Sequence, residues 1–160
     1  MRLINGVGEM VTQAAAVEDY ASQETGWQYI EYLKNHADIF ADLVAGSAFD
    51  FVLYRALEDY DSSSIPLFAF HVARTEDGIE VVPGKAPDPD LKLVLSLSAV
   101  QKLVQSPTKA VYAKQFGTFY NDPDVDAGWI DFIPIKGIKS LISLGYGKFA
   151  EETGIVENEN

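Results

Sequence analysis

The residues of this chain whose types could do chemistry are few and scattered. The stretch Asp122-Pro123-Asp124-Val125-Asp126 sets carboxylates two apart, as the first positions of a calcium loop do. The pattern then fails, because the sixth position is Ala127 and the twelfth is Ile133, where such a loop needs a bidentate glutamate. The stretch therefore reads as a turn decorated with solvated acids. His36 and His71 are the only histidines. His71 stands between Phe70 and Val72, and is either a polar handle for a ligand carboxylate or a hydrogen-bonded strand histidine. Asp131, between Ile130 and Phe132, is the one acid embedded in an apolar strand. It is either an acid–base group with a raised pKa or an outward-facing strand residue. The sequence holds no Gly-x-Ser-x-Gly elbow, no phosphate-cradling loop and no dinucleotide fingerprint. An enzyme would have to gather Asp131, His71 or a tyrosine into one cleft; no catalytic residue, metal or cofactor is assigned.

Composition narrows the classes further. A chain of 160 residues has the length for one well-buried core. Hydrophobic residues at 48% and charged residues at 22% are ordinary globular values and argue against wholesale disorder. The 9 Phe, 8 Tyr and 2 Trp supply large apolar area for a core or for a pocket. A net charge of −12 argues against nucleic acid, which needs a basic footprint. The charge is uneven, with Lys102, Lys109, Lys114, Lys136, Lys139 and Lys148 all in the second half. A local basic face could make transient contact with anionic headgroups on a membrane. Without cysteine, disulfides, thiolate catalysis and cysteine-held metal centres are excluded. No segment approaches the ~20 continuous apolar residues of a membrane span, and residues 1–6 lack a signal-peptide core. A soluble, cytoplasmic protein is the expectation.

The elements that must position these residues follow from periodicity. Gly8 to Tyr20 carries Met10, Val11, Ala14 and Val17 at helical spacing. A second helix, with Thr25 placed to cap it, shows Trp27, Ile30, Leu33, Ala37, Phe40 and Val44 on one stripe and ends near Gly46. Ser47 to Tyr60 fits both a helix and an aromatic, partly alternating strand; helix is favoured. Pro66 to Ala73 is an apolar strand, Asp77-Gly78 a hairpin turn, and Ile79 to Gly84 the returning strand. Pro87 and Pro89 make the next stretch a connection, not a paired strand. A third strand, Leu91 to Ser96, leads into a helix over Ala99 to Ser106 that Ser98 is placed to cap. Thr108 to Phe116 is a further short helix, with a brief strand expected over 117–120. Gly128 to Ile135 is another strand, its Pro134 calling for a sheet edge. A terminal helix over 137–152 carries Gly145 and Gly147, and the remainder is a polar tail. The domain reading is one domain over 1–154, with a helical N-terminal region over 1–60, sheet and covering helices over 65–152, and a tail over 155–160.

From about Leu67 to Phe149 the chain resembles the sterol carrier protein 2 (SCP2-like) family. The resemblance is carried by a hairpin, then by Asp90-Leu91-Lys92-Leu93-Val94-Leu95-Ser96-Leu97-Ser98-Ala99-Val100-Gln101-Lys102-Leu103, a strand running straight into a helix. Ala110-Val111-Tyr112-Ala113 matches the family's second short helix, and Gly128-Trp129-Ile130-Asp131-Phe132 its glycine-led strand. The chain departs from the family in the insertion over 121–127, in its longer N-terminal region, and in Pro134 where the family has a Gly-Asn turn. The resemblance implies an α+β fold, a mostly antiparallel five-stranded sheet covered by helices, with an apolar tunnel between them.

It also implies a non-catalytic carrier of fatty acyl, sterol-like or isoprenoid lipid. By position the tunnel wall would comprise Phe68, Phe70, Leu93, Leu95, Val111, Phe116, Ile130 and Phe132, with Ile138, Leu141 and Ile142 on the final helix. Lys136 and Lys139 flank the start of that helix and are placed to hold an anionic head. Such a carrier needs a lined cavity more than reactive groups, since each buried CH₂ contributes ~0.8 kcal/mol. The alternative is a protein-interaction module with a filled cavity, meeting a protein partner or a second copy through its N-terminal helices.

Overall fold

The computed structural model describes residues 23–62 and 65–155. Five strands, β1 (Ala48–Tyr54), β2 (Phe68–Thr75), β3 (Gly78–Pro83), β4 (Leu91–Ser96) and β5 (Ile130–Pro134), form one sheet in the order β3-β2-β1-β4-β5. The β1–β2, β2–β3 and β4–β5 pairs are antiparallel, and β1–β4 is parallel. The sheet is mixed and mostly antiparallel, and with the helices it makes an α+β fold. The hairpin lies where its turn residues put it, and Pro134 ends the edge strand β5, where a missing N–H leaves no ladder gap.

The N-terminal region is not all helical. Residues 47–60, expected to favour a helix, hold the central strand β1, and helix is confined to the single turn α2 (Leu57–Asp61). Both faces of β1 are covered, so its buried run Phe49-Asp50-Phe51-Val52-Leu53-Tyr54 shows no clean alternation. Fully covered strands and buried helices look alike by periodicity alone. The preceding helix also differs. Helical turns over 23–35 (α1) stop at His36, followed by a 3₁₀ helix, Ala37–Phe40. Thr25 is buried within α1 and not at its start. The helix read over Gly8 to Tyr20 lies outside the described residues.

Alternation along the strands sorts the sheet into two faces. On one, Phe51, Phe70, Leu93 and Phe132 stand side by side across four strands. This face is covered by α1, the 3₁₀ helix, α3 (Leu97–Leu103), α4 (Lys109–Asn121), α5 (Ile138–Ser143) and α6 (Tyr146–Thr153). Full burial of each such aliphatic or aromatic side chain contributes roughly 1.5–3 kcal/mol. On the other face Val52, Tyr54, Val94 and Trp129 form a smaller cluster with Leu57 and Tyr60. Residues 84–90 cross this second face to bring the chain from β3 to β4. Asp50 accepts a hydrogen bond there from the Ala86 N–H (2.8 Å), and the His71 Nδ1 lies 2.8 Å from the Gly84 carbonyl.

The later helices also depart from their expected bounds. Ser96, not Ser98, caps α3, its Oγ accepting from the Ala99 N–H at 3.2 Å. Helix α4 runs on through 117–120, where a strand was expected, and Gly117 lets it lie against the α6 backbone at Thr153, too close for a Cβ. The terminal helix breaks into α5 and α6 at Gly145, whose φ of +98° is left-handed. Ile155, expected in a frayed tail, is buried, and its N–H donates to the Ala150 carbonyl at 2.9 Å.

Gly117 supplies a test of this packing. On helix propensity alone Gly117→Ala would gain about 1 kcal/mol. A Cβ there would overlap the Thr153 carbonyl oxygen, which is backbone and cannot step aside. The expected outcome is the opposite sign, a loss of about 1–3 kcal/mol in urea denaturation, from forcing α4 and α6 apart.

Candidate functional site

The covering helices do not close fully on the sheet. A cavity of about 410 Å³ lies between the first face and the chain's terminal helices. Its floor is Phe49 from β1, Leu91 and Leu93 from β4, and Phe132 from β5. Ile39, Phe40 and Leu43 form one wall, and Ile138, Leu141 and Ile142 of α5 another. Tyr146, Phe149 and Ala150 of α6, with Ile155, complete it. That volume falls within the roughly 300–1,000 Å³ of pockets that enclose a small molecule. The wall is aromatic where it is deepest: Phe49 meets Phe40 at 5.6 Å and Tyr146 at 5.7 Å between ring centres, both edge-on.

One buried carboxylate fixes this wall. Asp90 is fully buried at the start of β4. Its Oδ2 accepts from the Ala48 N–H at 2.9 Å and from the Tyr146 hydroxyl at 2.7 Å. Its Oδ1 is met by the Lys136 ammonium at 2.5 Å, which also stands 3.6 Å from Asp88. Burial, and then the Asp90 carboxylate beside it, push the Tyr146 phenol well above its ordinary value. The hydrogen bond to Asp90 raises the Lys136 ammonium in turn. Gly145 lies against the backbone of Asp42, so the bend that carries α5 into α6 is held to the 3₁₀ segment. Among the described residues the charged members of the lining are Asp42 and Glu151, both exposed.

The structure distributes the sequence-derived positions unevenly. Leu93, Phe132, Ile138, Leu141 and Ile142 line the cavity. Phe70, Leu95, Phe116 and Ile130 are buried in the solid part of the core. Phe68 packs edge-on to Trp27 at 5.7 Å, and Val111 is exposed on α4. Lys136 is held by Asp90 and Asp88, while Lys139 is exposed on α5 and outside the lining. Sequence reasoning missed Phe49 because its strand read as a helix, missed Phe40 because it read as part of an amphipathic stripe, and missed Ile39 and Leu43 because they lie off that stripe in the continuous helix expected there, which the structure replaces by a 3₁₀ turn. Leu91 shares the face already read for Leu93, so alternation alone could have found it.

The candidate chemical groups are engaged elsewhere and do not converge. Asp131 accepts from the Tyr60 hydroxyl at 2.7 Å on the second face. His36 Nδ1 lies 2.8 Å from the Tyr32 carbonyl. Asp124 accepts from the N–H groups of Asp126 (2.8 Å) and Ala127 (2.7 Å), which holds its carboxyl below the usual range. Among the described residues no group of three or more His, Asp or Glu is arranged to hold a metal, and no helix is long and apolar enough to cross a membrane. Away from the cavity the core is dense. Tyr29 and Tyr112 share a buried hydroxyl–hydroxyl hydrogen bond of 2.5 Å, and burial raises both phenols. No family model, curated protein or solved structure matches the chain. The functional reading must therefore come from the cavity itself, whose mostly apolar lining can take an apolar body out of water.

Two measurements test the supports of the site. Asp90→Ala leaves the Tyr146 hydroxyl and the Ala48 N–H unpaired, while Lys136 keeps Asp88 and solvent, so a loss of about 1–3 kcal/mol for each orphaned donor is expected in urea denaturation. Asp90→Asn, which keeps an acceptor, should recover part of it. The phenols of Tyr29, Tyr60, Tyr112 and Tyr146 all stay neutral above their ordinary value near 10.0 in the folded chain. Unfolding therefore releases protons above that pH, and stability should fall as pH rises past it. Phenolate absorbance for these four should develop only together with loss of folded structure; free titration of all eight tyrosines in the folded state would contradict the packing.

Proposed function

We propose that this chain is a non-catalytic binding or carrier protein for an apolar ligand of the fatty acyl, sterol-like or isoprenoid kind, akin to the sterol carrier protein 2-like family. The observation that carries the reading is the apolar cavity of about 410 Å³ between sheet and terminal helices. Transfer of a hydrocarbon into such a lining gains about 0.8 kcal/mol per CH₂, so binding needs no polar anchor in its depth. Loading is passive. Helix α5 has one buried residue, Leu141, while Ile138 and Ile142 line the cavity yet are 60% exposed. A helix so lightly held moves at small cost and opens the mouth. Ile135, Ile138 and Ile142 then present aliphatic surface at that mouth, which supports a transient contact with a lipid surface in the cytoplasm.

Gly147 gives a clean test. It lies on the lining within α6, and a Cβ there would meet only Ile142, at 3.9 Å. Gly147→Leu should fill the cavity without disturbing the fold. Delipidated wild type is expected to take up a neutral apolar fluorophore and fatty esters, and the variant to lose at least about tenfold in affinity, the equivalent of roughly two methylenes of transfer. Native mass spectrometry that recovers no small molecule, together with no uptake by the delipidated protein, would discard the carrier reading. An interaction module meeting its partner elsewhere would then be the better account.

A further inference from the structure

We infer that the cavity selects among apolar ligands by the charge of the head group, accepting chains that end in a cationic or uncharged group and rejecting those that end in a carboxylate. This rests on the carrier reading and narrows its ligand class. Among the described residues the charged members of the lining are Asp42 and Glu151, and both are acids. Being exposed, they stand where the cavity meets solvent, which is where the head of a buried chain emerges. Among the described residues no lysine, arginine or histidine lines the cavity.

The cations around it are spent or displaced. Lys109 lies 3.9 Å from Asp42 and 3.5 Å from Glu152, so its one ammonium is shared between two carboxylates. Lys136 is held by Asp90 and Asp88. Lys139 and Lys148 are exposed and outside the lining. No donor waits in the depth either, because the Tyr146 hydroxyl is given to Asp90 at 2.7 Å. The half-buried rings of Phe132 and Phe149 add quadrupoles that attract a cation and give nothing to an anion. A carboxylate emerging here sits among like charges in surroundings of lowered dielectric, where repulsion is several-fold stronger than in bulk water.

The test is calorimetric titration of delipidated protein with decylamine, decanol and decanoate, at neutral pH and below micelle formation. The three share one hydrocarbon length and differ in the head alone. Decylamine should bind tightest, decanol next, and decanoate roughly tenfold or more weaker than decylamine, with the gap narrowing as salt is raised. In Asp42→Asn/Glu151→Gln the gap between amine and carboxylate should close. Decanoate binding as tightly as decylamine overturns the head-group assignment, and so does a gap that survives intact in the double variant. Failure of decanol to bind at all overturns the carrier reading itself.

Discussion

Two buried carboxylates hold the crossover on which the sheet depends. The chain leaves β3 at one edge and must cross the meander to place β4 on the far side of β1. A link broken by Pro87 and Pro89 cannot pair along its length, yet Ala86 and Asp90 within it are buried. Asp50 takes the Ala86 N–H, and Asp90 takes that of Ala48 while its own N–H donates to the Ala48 carbonyl at 2.8 Å. Each unpaired group left there would cost roughly 1–3 kcal/mol. The same bonds set the register of the parallel pair, so a helical-looking segment and a proline-rich link become the middle of the sheet.

Asp90 also joins this scaffold to the cavity. Through Tyr146 it fixes one wall, and through Lys136 it anchors the segment that leads into α5, leaving the helix itself lightly held. Protein interiors normally pack to the density of organic crystals, and an unfilled volume of this size forfeits many dispersion contacts. The remainder of the core offsets that loss with close aromatic packing, such as the Phe51–Phe70 stack at 4.9 Å. Occupancy of the cavity would add to stability by mass action. On the proposed reading the apolar wall would give affinity and the acids Asp42 and Glu151 discrimination.

Much of the sheet was legible in the sequence because its signals are local. Asp77-Gly78 marks the hairpin, alternating leucines mark β4, and Pro134 marks an edge. What the sequence hid was non-local. Phe49, Phe51 and Leu53 look helical or extended until a neighbour strand covers each side. The break at Gly145 lies against the backbone of Asp42, about a hundred residues earlier in the chain, and no propensity scale sees such a contact. The cavity was legible only in part for the same reason. Leu93 and Phe132 are marked by alternation, but whether Phe116 or Phe149 faces the void depends on how far each helix stands from the sheet.

The position of β1 has a kinetic consequence. It pairs with β2 soon after both are made, but its other edge stays bare until β4 is synthesised, and the Ala48–Asp90 bond spans 42 residues. Closing so distant a parallel pair is slow compared with forming the hairpin. During that interval a strand rich in phenylalanine offers its unpaired backbone to any other nascent copy.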